Sequence, residues 1–100
     1  MKVKIRNCPD VYFKPYVEKA VQFYAKELIP NTRIRNNCVA IIRFDASIPN
    51  YGSCGAEGYN SKKEPREFLI EVHPGIGARD ILETLAHEMV HVKQLVYHET

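Results

Sequence analysis

His87, Glu88 and His91 are the residues whose types and spacing are best suited to chemistry in this sequence. Two histidines four positions apart lie on one face of an α-helix, one turn from each other. Imidazole nitrogens bind zinc at about 2.0–2.1 Å, and a single helical turn aims both at a common point without bending the backbone. Glu88 follows the first histidine and points roughly 100° away around the helix, which makes it a neighbour of the ion and not a natural third ligand. Its expected role is general base, taking a proton from a metal-bound water whose pKa the ion lowers towards about 7. The bland alternative is a pair of incidental surface or core histidines. The surrounding segment argues against it, because Ile81, Leu82, Leu85, Met89, Val92 and Val96 recur at spacings of three and four. That pattern predicts an amphipathic helix with its histidines beside the apolar stripe.

The rest of the chain must position this helix. One hundred residues suffice for one modest core, so a single domain over 1–100 is expected. The composition, 45% hydrophobic and 26% charged, is that of an ordinary globular protein, and a net charge of +2 does not argue for nucleic acid or a membrane surface. No apolar run approaches a membrane span, and Met1 to Arg6 alternates charged with apolar residues where a signal peptide needs a continuous apolar stretch. The expected location is cytoplasmic, without secretion. Cys8, Cys38 and Cys54 form an odd set without paired ligand spacing, which predicts buried or idle thiols in preference to a disulfide or a cysteine zinc site.

In chain order, residues 2–6 alternate Lys2, Lys4 and Arg6 against Val3 and Ile5, a short half-buried strand with lysines suited to a sheet edge. Val17, Ala20, Val21, Tyr24 and Leu28 give one apolar face to a helix from about Pro15 to Ile29, ended by Pro30. Thr32–Arg35 and Cys38–Asp45 read as two strands joined by a tight turn at Asn36-Asn37. Ala46–Pro65 is polar and punctuated by Pro49, Gly52, Gly55 and Gly58. It reads either as a surface loop or hairpin, or as a loop shaping one wall of a cleft. Arg66–His73 alternates as a strand with one polar face, and His73 at its end approaches a metal in principle, although a polar strand end is the commoner explanation. Asp80 and Glu83 resemble a capping box for a final helix running from Ala78 or Arg79 to Tyr97.

This order predicts an α+β fold, a small mostly antiparallel sheet packed by two helices, the C-terminal one carrying His-Glu-x-x-His. Pro65–Val72 followed by Leu82–Gln94 resembles the zincin metallopeptidases. It looks most like the short SprT-like proteins often encoded by bacteriophages, near the minigluzincins. The resemblance is specific from about Gly52 to Gln94 and architectural before that. It implies a zinc-dependent peptidase that hydrolyses peptide bonds, with His87 and His91 as zinc ligands, Glu88 as the catalytic glutamate, and a peptide or protein substrate. It also implies that a strand beside the active-site helix pairs with an extended substrate. Residues 66–73 are a candidate for that edge.

A catalytic zinc takes three protein ligands and keeps one open position. Relatives of this kind usually supply the third from a segment downstream of the motif helix, where this sequence offers His98 and Glu99. On a continuous helix His98 lies about 10 Å along the axis from His91, so it reaches the same ion only if the helix breaks. An upstream residue or another subunit are the other sources. The competing expectation is a truncated or degenerate zincin scaffold that acts as a protein-binding module. Neither nucleic acid nor membrane is expected as a partner, and the oligomeric state is left open.

Overall fold

The computed structural model describes residues 1–98. Seven elements follow one another: β1 (Lys2–Arg6), α1 (Lys14–Leu28), α2 (Thr32–Asn36), β2 (Val39–Phe44), β3 (Gly52–Tyr59), β4 (Pro65–Val72) and α3 (Ala78–Val96). The result is an α+β fold with a mixed sheet in the order β1-β2-β4-β3. β1 pairs parallel with β2, β2 pairs parallel with β4, and only β3 and β4 are antiparallel. The expectation of a mostly antiparallel sheet is therefore corrected. The physical reason lies between β1 and β2, where α1 and α2 give the chain enough length to return and start β2 in the same direction as β1.

A second correction concerns Thr32–Arg35, which is helical and not a strand, so no hairpin forms at Asn36-Asn37. Asn31 has extended backbone and its side-chain oxygen accepts from the Ile34 N–H at 3.0 Å. That cap satisfies one of the donors a helix start leaves orphaned, and it outweighs the strand preference of Thr32 and Ile34. A third concerns the start of α3. Its N-cap is Gly77, without a side-chain cap, and Asp80 lies inside the first turn. Asp80 is thus placed to favour the helix dipole, while Glu83 pairs with Arg79 at 3.1 Å. No capping box forms.

The other elements stand where expected. α1 carries Pro15 in its first turn and buries Val17, Val21 and Ala25. β1 is an edge strand, with its basic residues exposed and Val3 and Ile5 half-buried. β2 is central and nearly all buried. Transverse rows of the sheet give the core its shape: Ile5, Ile42, Ile70 and Cys54 form one row, and Phe44, Val72 and Gly52 another. α1 and α3 pack against each other and against the sheet, so that Phe68, Ile70 and Ile42 meet Leu85, Met89 and Val92 in one fully buried cluster. Each such side chain contributes about 1.5–3 kcal/mol by leaving water. Among the described residues no helix is long and apolar enough to cross a membrane.

Part of the stretch from Ala46 to Pro65 is a strand. β3 forms a hairpin with β4, closed by Asn60, whose side-chain oxygen accepts from the N–H groups of Lys62 and Glu64, with Lys63 at a φ of 61°. β3 is built of small residues, Gly-Ser-Cys-Gly-Ala-Glu-Gly-Tyr, and so has no β-branched signature to read. β4 lies inside the sheet, and the edge beside α3 belongs to β3.

Candidate metal centre

α3 is continuous from Ala78 to Val96 and buries Ile81, Leu85, Met89, Val92 and Val96 in the core. Thr84 and Glu88 occupy the flank turned to β3, and both are buried, Glu88 being only 6% exposed. His87 and His91 lie beside them at the surface. The approach of β3 to this flank depends on Gly52. A Cβ there would stand 2.5 Å from Thr84 Cγ2, 3.0 Å from the Glu71 carbonyl oxygen and 3.4 Å from Glu88 Oε2. Glycine brings the strand close enough to wall in the carboxylate.

The two imidazoles meet edge to face, with centroids 4.9 Å apart and ring planes at 85°. Their Nε2 atoms are 3.3 Å apart. Two nitrogens held at about 2.0–2.1 Å by one tetrahedral ion stand about 3.3–3.4 Å from each other. The pair therefore fits a shared zinc ion through its Nε2 atoms. On its far side, His91 Nδ1 is 3.1 Å from Gln94 Oε1.

Two clefts adjoin at this point, about 440 and 370 Å³ in volume, and both are lined by Gly52, His87 and Glu88. One continues past Ser53, Cys54, His91, Gln94 and Leu95. The other continues past Asn50, Tyr51, Asp80, Glu83 and Thr84, which makes it the acidic arm. Burial, and secondarily the Glu88 charge, push the Cys54 thiol up to about 12. At neutral pH this residue is a protonated wall of the cleft. A cavity of similar size, about 450 Å³, lies at the far end of β3 and β4, with Arg66 and Glu67 as its only charged lining residues. Among the described residues it gathers no histidine, whereas His87 lines both β3–α3 clefts and His91 one of them.

The other candidates fall elsewhere. His73 lines a separate cleft with Ile48, Pro49 and Ile76, its Nδ1 accepting from the Gly75 N–H at 2.9 Å. α3 does not break between His91 and Val96, and His98 follows the C-cap Tyr97 with a φ of 55°. Glu99 lies outside the described residues. Among the described residues no third His, Cys, Asp or Glu joins the pair in a group able to hold a metal ion. Gly52 and Cys54 stand in the stretch expected as a loop or as a cleft wall but carry no mark of their own, and Thr84 and Gln94 line the clefts with them. Gln94 had a signal, its spacing of three from His91. Gly52 and Cys54 had none, since only the sheet brings β3 to α3.

The cysteines are all free, with Cys38 buried and Cys8 and Cys54 half-buried, and the Cys38 thiol is raised mainly by burial. No family model, no curated protein and no solved structure matches the chain.

Proposed function

We propose that this chain is a zinc-dependent peptidase of zincin type, with His87 and His91 as metal ligands and Glu88 as general base. The observation that carries the reading is the 3.3 Å separation of the two Nε2 atoms, next to a buried glutamate in a cleft bounded by an edge strand. When bound, zinc would polarise a scissile carbonyl and acidify water. Glu88 would accept the proton of that water and hand it to the leaving amine. Glu88 is 6% exposed and its Oε2 lies against Gly52, which would narrow the positions open to the carboxylate in proton transfer. β3 would orient an extended peptide along its free edge by backbone hydrogen bonds.

The test is zinc content by metal analysis, together with cleavage of a denatured protein or peptide library. The wild-type chain should bind one zinc and cleave. Glu88→Gln should keep the zinc and lose about 10²–10⁴-fold in rate, while His91→Ala should lose both. Zinc-loaded protein without cleavage would refute the peptidase reading.

A second reading rests on the missing third ligand among the described residues. On that reading the scaffold binds metal weakly and uses the cleft to hold a protein segment without cutting it. Weak zinc binding and unchanged peptide affinity in Glu88→Gln would favour it.

A further inference from the structure

The contact on the outer side of His91 assigns a role to Gln94. Its carboxamide oxygen stands 3.1 Å from His91 Nδ1, and an oxygen of this kind can only accept a hydrogen bond. Nδ1 must then carry the proton. A neutral imidazole has one N–H and one lone pair, so the lone pair of His91 is on Nε2, the atom that faces His87 Nε2 at 3.3 Å. We propose that Gln94 is a positioning residue that fixes the tautomer and the aim of His91, holding its Nε2 lone pair towards the metal position. This rests on the reading of His87 and His91 as metal ligands.

The geometry separates this role from two others. Gln94 Oε1 contacts the nitrogen on the opposite side of the ring from the shared point, so it is no ligand to the same ion. It also comes from the same helix, three residues on, so the hydrogen bond needs no second element to hold it. A half-buried position on α3 next to Leu95 and Val96 supplies the rigid base such an orienting group needs. In metal-free protein the same logic fixes the partner: the His87 Nε2–H donates to His91 Nε2. A shared ion would need the His87 Nε2 lone pair as well, and so its proton on Nδ1. Among the described residues no side chain accepts from the outer nitrogen of His87 as Gln94 does from His91, so the two ligands are unequal and His91 is the preset one. Hydrogen bonds to the outer nitrogen of a ligating histidine commonly contribute 10–100-fold in metal affinity.

Three proteins test this: wild type, Gln94→Met, which keeps length and helix preference but cannot accept, and Gln94→Glu, which restores an acceptor. The first readout is the ring-nitrogen NMR spectrum of the metal-free chain, which distinguishes Nδ1–H from Nε2–H. His91 should be Nδ1–H in wild type and in Gln94→Glu, and should lose that preference in Gln94→Met. The second is zinc affinity by chelator competition. Gln94→Met should bind about 10–100-fold more weakly at unchanged helix content, and Gln94→Glu should return to the wild-type value or tighter. An Nε2–H tautomer in wild type, or wild-type zinc affinity in Gln94→Met, overturns the proposal and leaves the metal-site reading intact. If wild type and His91→Ala alike bind no zinc, the metal-site reading fails and the proposal falls with it.

Discussion

Gly52 and Thr84 stand so close that a single methyl group on the glycine would lie 2.5 Å from Thr84 Cγ2. This contact sets the spacing between the edge strand and the helix that carries both histidines. Gly52→Ala must push β3 outward or twist Thr84 off its rotamer, at a cost of about 1–3 kcal/mol. Thr84→Ser removes the opposing methyl, so the double variant should recover most of that loss. Urea unfolding of the two single variants and the pair checks it, and strictly additive effects would show that the two residues do not limit the approach.

His98 is predicted to be irrelevant to metal binding. α3 is unbroken from His91 to Val96, which carries the chain about 7.5 Å along the axis beyond His91 before the helix ends and His98 follows. His98→Ala should bind zinc as wild type does in a chelator competition. A tenfold weakening would mean that the chain after Tyr97 folds back on the cleft.

Cys54 should report the charge state of Glu88. Its thiol is pushed up to about 12, first by burial and then by the Glu88 carboxylate, and alkylation proceeds through the thiolate. Labelling of Cys54 by iodoacetamide should be very slow at pH 8 and should speed up in Glu88→Gln, which removes the second cause and keeps the first. Equal rates, measured by peptide mapping, would show that the carboxylate does not act on the thiol. The same shift has a stability consequence with a definite sign. A thiol whose pKa is raised on folding contributes stability that is intact below its ordinary value near 9.0 and is lost as pH climbs towards 12. Cys54→Ala should therefore lose less stability than wild type between those limits.

The helical turn at Thr32–Asn36 hangs on Asn31. Its side chain accepts from the Ile34 N–H at 3.0 Å, and Asn31→Ala should cost about 0.5–2 kcal/mol. Asn31→Asp keeps the acceptor and should be close to neutral. A neutral alanine variant in thermal or urea unfolding would show that packing of Ile34, and not the cap, holds the turn.

What was legible in the sequence was local. His87, Glu88 and His91 share a helix, and their mutual placement follows from 3.6 residues per turn, so a candidate ligand pair and a candidate base beside it are legible without the fold. Periodicity likewise predicts the strands at 2–6, 38–45 and 66–73 and the long helices from about 15 to 29 and from 78 or 79 to 97, each within about one residue of the observed bounds. Pairing partners and direction did not, because a strand of alternating residues looks the same whether its neighbour runs parallel or antiparallel. The Asn31 cap is masked in the sequence by the β-branched Thr32 and Ile34 that follow it. β3 was hidden by its small side chains. The tertiary structure alone placed that strand at the edge beside α3, where Gly52 closes on Thr84 and Glu88 and Cys54 lines the cleft, since these are contacts between segments more than thirty residues apart. Periodicity reports which face of an element is apolar, and only packing decides what that face meets.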